Sequence, residues 1–472
     1  MLSETVLKNL GIQGLCDDSR KVNPGDLFFA MPGEQAEEFA RTALSKGAVA
    51  IVGETEAPAD LSSKWILVPS VKEERASAAK IFYRDPFSKL RTHAITGTNG
   101  KTTSAFLMEA MLSSDGRKTA LVGTICKKIG DKVIASNLTT PGILELYAFG
   151  ADAVNAGCTD FVMEASSHSL HQGRVQGIAY KSALFSNLTE DHLDYHKTFE
   201  NYRDAKKAFF DGLAKETFAI TNADDKNGSV MVQNCKAKIK TYSTRSMADF
   251  RARIIECHFE GMYLEIDGRE VGVQFIGKFN VSNLLAVYGA AIMLGKKAED
   301  ILVILSTLKS VAGRLEPIRS KEGVTAIVDY AHTPDALENV LNAIHEVLDG
   351  KGGEVIINDM LAGLNAQQKK KTISITDRKE AIRTACMMAN KGDVILIAGK
   401  GHEDYQEIKG VKYHMDEREL IQEILEAIVA LIGEGIDAWL HFLHGAYGID
   451  LIAKHPHATN DEYGQYGYKC HA

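Results

Sequence analysis

Gly97-Thr98-Asn99-Gly100-Lys101-Thr102-Thr103 stands between the apolar pair Ala94-Ile95 and the helix-like Ser104-Ala105-Phe106-Leu107-Met108-Glu109. A strand, a turn with two glycines and a helix make a phosphate cradle. The glycines let backbone N–H groups and the helix N-terminus face a polyphosphate, Lys101 adds a point charge, and Thr102 or Thr103 adds a hydroxyl toward magnesium. The chain is therefore expected to handle ATP. The standard spacing would need a glycine at Ile95, whereas the first glycine here is Gly97. The competing reading is a glycine turn that binds nothing.

Outward from the cradle, 472 residues with 45% hydrophobic and 25% charged side chains suggest about three soluble domains. A net charge of −8 argues against nucleic acid as a partner. The 7 cysteines are scattered without a CxxC pair, so they read as reduced and structural. Glu4 and Lys8 interrupt the N-terminus, which does not read as a signal peptide. The most apolar late stretch is broken by Glu426, Glu434 and Asp437, so no membrane association is expected. A cytoplasmic monomer is the resulting expectation.

The fold class expected is α/β in three domains. Residues 1–90 read as a small N-terminal α/β domain, with strands at 26–30 and 49–52 around a helix at 36–46, ending at Arg84-Asp85-Pro86. In residues 91–313, short apolar runs at 119–122, 160–164, 182–186 and 218–221 alternate with helical patterns, which predicts a central P-loop-type, mainly parallel sheet. Residues 254–276 alternate like strands broken by Glu260-Gly261 and Asp267-Gly268, suggesting an antiparallel addition, and a helix follows at 281–293. Gly313-Arg314-Leu315-Glu316-Pro317 reads as a hinge into a third domain, 314–430.

That third domain reads as a truncated Rossmann-like unit. A strand at 325–328 and a helix at 334–348 lead into Gly350-Lys351-Gly352-Gly353, and residues 354–361 are again periodic as a helix. Two helices then meet with no strand between them, which breaks β-α alternation. Residues 431–472 form an unassigned tail; its His441, His444, His455 and His457 fit no metal spacing.

The cradle resembles the ATP signature of the Mur ligase family, amide-forming synthetases that build the peptide stem of bacterial cell-wall precursors. Four more segments match in order: Asp18-Ser19-Arg20, Met163-Glu164-Ala165-Ser166-Ser167-His168, Glu190-Asp191-His192-Leu193-Asp194-Tyr195-His196 and Ala398-Gly399-Lys400-Gly401-His402-Glu403. The resemblance implies ATP and magnesium as cofactors, with a UDP-muramyl dipeptide and an amino acid, meso-diaminopimelate or L-lysine, as the joined partners. Such chemistry needs ATP because a carboxylate is a poor electrophile; phosphorylation gives an acyl phosphate that an amine attacks.

Residue by residue, the resemblance implies that Gly97, Thr98, Asn99, Gly100, Lys101, Thr102 and Thr103 hold the ATP phosphates. Glu164, at a strand end, would bind one magnesium with Thr102, and His192 would bind a second; the alternative for Glu164 is a solvated strand-end carboxylate. His196 reads as structural. Lys206 would by default be a surface helix lysine, but it aligns with the family lysine that carbon dioxide carbamylates, which then supports the second magnesium, and Lys207 leaves that alignment open by one position. Asn280 and Asn283 would contact adenine or merely cap a helix. Arg314 and Asp329 would contact ATP across the hinge. Ser19, Thr139, Thr140, Ser166 or Ser167, and Arg174 would hold the UDP-substrate, and Gly399 and Glu403 the amino acid. Relatives also carry a glycine-rich loop, a strand and an Asp-Asn-Pro-Arg type motif in the third domain, and none of these is present here.

Two other readings remain open. A folylpolyglutamate-type ligase would usually have Gly-Lys-Gly-Ser where this chain has Gly100-Lys101-Thr102-Thr103, and the truncation leaves room for a non-catalytic nucleotide-binding relative.

Overall fold

The computed structural model describes residues 2–114, 116–258, 260–321, 323–348, 375, 377–408 and 411–434. The expectations for 350–361 and for 435–472 lie outside the described residues. By packing, the chain divides into two units, one taking in nearly all of the first 308 residues and the other beginning at Lys309 with two short insertions from before it.

The first unit opens with four parallel strands, β1 (Gly14–Cys16), β2 (Asp26–Phe29), β3 (Ala50–Gly53) and β4 (Trp65–Leu67), in that order. Strand β2 is buried on both faces, as its uninterrupted apolar run requires. Phe28 and Ile51 pack on Ala40 and Ala43 of the helix Ala36–Ser45. Leu27, Phe29, Ala50 and Val52, pointing the opposite way, share a core with Ala94, Ala120, Tyr147 and Phe161. The chain turns at Arg84 and Asp85, both left-handed, but the core runs on past them.

The second sheet is built from β5 (Arg91–Thr96), β6 (Thr119–Val122), β7 (Cys126–Ile129), β8 (Lys132–Ala135), β9 (Asp160–Glu164), β10 (Tyr180–Phe185), β11 (Phe218–Asn222), β12 (Lys238–Ser243), β13 (Phe250–His258), β14 (Gly261–Ile266) and β15 (Arg269–Val273). Its order is β15-β14-β13-β12-β11-β10-β5-β9-β6-β7-β8. From β13 to β6 the pairs are parallel, while β6-β7-β8 and β14-β15 are antiparallel. The chain leaves β5 toward β6 and β9 on one side and later fills β10 and β11 on the other. The carboxyl end of β5 is thus a topological switch point, where α/β sheets place their ligands.

The late helix begins at Lys278, three residues before the sequence pattern places it, because Gly277 is left-handed and breaks the chain there. It is buried from Asn280 to Ala291 on almost every side, as a helix apolar all round must be, and packs against Lys101–Ser113.

The second unit has a three-stranded sheet in which β17 (Thr325–Asp329) pairs antiparallel with β16 (Glu316–Arg319) and parallel with β18 (Val394–Ala398). A hairpin of β19 (Tyr405–Ile408) and β20 (Val411–His414) stands apart. Ala326 and Val328 pack with Ile382 and Cys386 of Arg378–Met388 and with Leu420, Ile421 and Ile424 of Glu417–Glu434. Among the described residues no helix is long and apolar enough to cross a membrane.

Candidate active site

The cradle leaves β5 through Gly97 at φ 148° and enters the helix Lys101–Ser113 through Gly100 at φ 83°. Both positions are closed to a side chain. A Cβ on Gly97 would stand 2.0 Å from Ser186 Oγ, and one on Gly100 would stand 2.2 Å from Asn283 Oδ1. Lys101 folds back so that its Nζ donates to the carbonyls of Gly97 at 3.1 Å and Thr98 at 2.6 Å. Thr98 Oγ1 is paired with Tyr202 OH at 2.9 Å and accepts the Thr189 N–H at 3.0 Å.

Glu164 ends β9 opposite Ile95 of β5, which brings it beside the cradle helix. It is fully buried, so the solvated strand-end reading is excluded. Thr102 Oγ1 donates to Glu164 Oε2 at 2.9 Å, Thr124 Oγ1 donates to the same oxygen at 3.0 Å, and the Thr124 N–H donates to Oε1 at 2.7 Å. Thr102, not Thr103, is therefore the hydroxyl that meets the carboxylate. A Cβ on Gly123 would come within 2.4 Å of Glu164 Oε1, so the carboxylate needs that glycine. A carboxylate and a hydroxyl at the first turn of a phosphate-facing helix are the oxygen donors that magnesium takes alongside phosphate and water. The residues present fit that ion.

Lys206 is buried rather than exposed, which corrects the default surface reading. Its Nζ donates to the Gly97 carbonyl at 2.8 Å and lies 4.7 Å over the Tyr202 ring. Burial, reinforced by the Lys101 cation, pushes its ammonium well below the usual lysine range. Lys207, by contrast, is ion-paired with Asp211 at 2.7 Å. The spacing of Tyr202, Lys206 and Phe210, all buried, was the available signal: the lysine lies in the apolar stripe of its helix.

His192 is half-exposed, left-handed at φ 53°, and lies 3.4 Å from Asp191 by Nε2. Burial and the cations of Lys101 and Lys206 lower its pKa, against the pull of Asp191. Its ring meets His168 edge-on at 4.8 Å, and His168 in turn meets Tyr195 at 4.2 Å and His196 at 5.6 Å. His196 is 4% exposed and its Nε2 has no hydrogen-bond partner. Burial and the neighbouring histidines pull its pKa from 6.5 to about 4. Between those values the unfolded chain takes a proton that the folded chain refuses, so stability is full above pH 6.5 and falls as pH drops toward 4. Melting temperatures measured from pH 7 to 4 should show this decline, and His196→Gln should flatten it.

The remaining substrate-side residues fall into two groups. Thr140 Oγ1 donates to the Glu164 carbonyl at 2.7 Å, Thr139 Oγ1 pairs with Thr124 Oγ1 at 3.1 Å, and Arg174 donates to the Thr140 carbonyl at 2.9 Å. Ser166 caps the helix Ser167–His171, while Ser167 is buried, which leaves Ser166 as the more accessible of the two serines. Ser19 lies apart, in the loop after β1, between the ion-paired Asp18 and Arg20. Asn280 and Asn283 are the third and sixth residues of their helix, so neither caps it. They bond each other at 3.1 Å, and Ser104 Oγ donates to Asn283 at 3.3 Å.

In the second unit, Asp329 ends β17 level with Ala398 of β18. Its oxygens accept the N–H groups of Leu315 at 2.7 Å and Ala331 at 2.6 Å, and burial raises its pKa against those bonds. The Arg314 guanidinium lies 4.5 Å over the Tyr330 ring, which meets His402 at 5.1 Å. Gly399 donates its N–H to the Asp329 carbonyl at 3.0 Å, and Glu403 pairs with Lys400 at 3.0 Å. These four sequence-selected residues share the carboxyl end of the small sheet. Sequence reasoning missed Thr124, Ser186, Asn187 and Tyr202, none of which belongs to a recognisable motif.

Comparison with known proteins agrees with this geometry. Residues 95–291 match the Mur ligase middle domain, and residues 313–361 match the glutamate ligase domain of Mur ligases. The UDP-N-acetylmuramoyl-L-alanyl-D-glutamate--2,6-diaminopimelate ligase of Bacteroides fragilis is 50% identical over 468 residues, covering 89% of this chain and 96% of its own. A solved structure of a ligase of that name superimposes with a TM-score of 0.68 at 31% identity, over 89% of this chain and 95% of that one. The MurF ligase of Thermotoga maritima in complex with ADP shares the fold, with a TM-score of 0.58 at 18% identity over 89% and 99% of the two chains. Identity of one residue in two, sustained along nearly the whole of both sequences, is common descent: the chain belongs to the Mur ligase family.

Proposed function

We propose that this chain is an ATP-dependent ligase that joins an amino acid to UDP-N-acetylmuramyl-L-alanyl-D-glutamate in peptidoglycan precursor synthesis. The observation that carries the reading is the buried Glu164–Thr102 pair at the mouth of a glycine cradle, in a chain half identical to a diaminopimelate ligase. meso-Diaminopimelate is the amino acid in the relatives' names, and L-lysine is the competing substrate.

In this reading residues 1–90 bind the UDP end through Ser19, residues 91–313 bind ATP, and residues 314–430 receive the amino acid through Gly399 and Glu403. Thr139, Thr140, Ser166 and Arg174 hold the dipeptide near Glu164. Lys101 leaves the loop carbonyls for the phosphates. Asn280 and Asn283 face the adenine, and Arg314 and Asp329 act on the nucleotide. Glu164 and Thr102 would hold one magnesium and His192, with Lys206, a second, and these ions would neutralise phosphate charge. Lys206, whose ammonium burial holds well below the usual lysine range, gives up its proton more readily to leave an amine that can take up carbon dioxide, and the carbamate would turn a cation into an anionic ligand. The chain acts as a monomer in the cytoplasm.

A second reading, a relative impaired in the last step, has its own support. The alignment with the Bacteroides fragilis enzyme runs to 468 positions but takes in only 89% of 472 residues, so that enzyme has several tens of residues with no counterpart here. The Asp-Asn-Pro-Arg type motif is among what this chain lacks. An amine must be held about 3 to 3.5 Å from the acyl phosphate to attack, and a pocket short of half its wall does this poorly. Calorimetry should therefore find weak, unselective binding of diaminopimelate and lysine while ATP and the dipeptide bind normally. Phosphate release with ATP, magnesium and dipeptide, measured with and without amino acid, tests the function itself. Release that depends on the amino acid supports the ligase; no release in either case overturns it.

A further inference from the structure

The phosphate cradle is held by a side chain that is not part of it. Asn187, in the loop after β10, accepts the Asn99 N–H at 2.9 Å through Oδ1 and donates to the Asn99 carbonyl at 3.1 Å through Nδ2. One carboxamide thus serves both polar groups of one residue, as a neighbouring strand would. Ser186 Oγ donates to the same carbonyl at 2.6 Å, and the Thr98 N–H donates to the Asn187 carbonyl at 2.9 Å. The clamp is itself anchored, because Asn222 donates to the Ser186 carbonyl at 2.7 Å and the Leu188 N–H donates to Asp225 at 2.8 Å. Gly97 admits it by lacking a side chain, since a Cβ there would also stand 3.0 Å from the Asn187 carbonyl oxygen.

We propose that Asn187 is a positioning residue that holds Gly97–Thr103 in its nucleotide-binding shape before the nucleotide arrives. The inference rests on the reading of this loop as an ATP site. A loop with two glycines loses much backbone entropy when it orders. If ATP had to order it, that cost would appear in the affinity; the clamp places it in folding instead. Asn187 reaches the backbone of Asn99, so its loss should weaken nucleotide binding while leaving the chemistry of the bound complex in place.

Asn187→Ala removes two hydrogen bonds to one residue and should raise the dissociation constant for magnesium-ADP and the KM for ATP about tenfold. Its kcat should stay within about threefold, the KM for the dipeptide within about twofold, and the melting temperature near that of the parent. Ser186→Ala leaves the Asn187 bonds standing and should raise the ATP KM about threefold, which keeps the test alive should the first variant fold poorly. Titration with magnesium-ADP, thermal unfolding and initial rates on the full chain supply these values. ATP affinity equal to the parent's in both variants overturns the role of Asn187 alone. A uniform loss across all substrates with a lowered melting temperature also overturns it, because that marks general destabilisation. A parent protein that binds neither magnesium-ADP nor magnesium-ATP overturns the ATP site and the clamp together.

Discussion

Lys101→Ala should lower kcat/KM for phosphate release by about 10³-fold while the protein stays folded. Lys101 is the first residue of its helix and donates to local carbonyls, those of Gly97 and Thr98. The Gly97 carbonyl keeps the Lys206 donor, and the Thr98 carbonyl loses its own, which costs about 1–3 kcal/mol. On the proposed reading, what disappears is a charge that acts on the β- and γ-phosphates, and phosphoryl transfer depends on such charges because the transition state spreads negative charge over its oxygens. Circular dichroism separates the two effects. Turnover within tenfold of the parent would remove the cradle from the mechanism.

Lys206→Ala should be almost as damaging to turnover, about 10²- to 10³-fold, with melting temperature unchanged or raised. The direction of the stability effect follows from burial. Among the described residues its Nζ meets the Gly97 carbonyl and the Tyr202 ring but no carboxylate within ion-pair distance, so the desolvation of the side chain is repaid only in part. If its role is to carry an anionic carbamate, then bicarbonate, chloride or a short carboxylate should restore part of the lost rate in the alanine variant, and mass spectrometry under carbon dioxide should find the parent heavier. An active variant together with an unmodified parent would sink the carbamate assignment.

The helix Phe199–Asp211 illustrates how far reading the chain alone could reach. Lys206 lies four residues from Tyr202 and from Phe210, so its place in a buried stripe was open to inspection, and Lys207 on the neighbouring face pairs with Asp211 instead. The turn near residue 90 was legible in a different way. Arg84 and Asp85 do make a sharp turn, yet the alternating faces of β2 and β3 send Leu27, Phe29, Ala50 and Val52 into the same core as Phe161. Periodicity tells that a strand is buried on both faces and does not tell what covers it. Residues 349–374 of the third domain lie outside the described residues, so the order of elements there rests on sequence alone.

By itself the sequence determined the alternation of buried strands and helices, the two glycines of the cradle, and the chemical types of Lys101, Glu164 and His192. Each depends on residues a few positions apart, where backbone conformation, side-chain period and turn chemistry act directly. Only the tertiary structure decided that Thr102 meets Glu164 across 62 residues, that Asn187 grips Asn99 across 88, and that Lys206 reaches the Gly97 carbonyl across 109. Those partners are chosen by strand order and register, because β9 and β10 flank β5 and deliver their last residues to one edge. No local pattern specifies which strand will lie beside which; the packing of the whole sheet does.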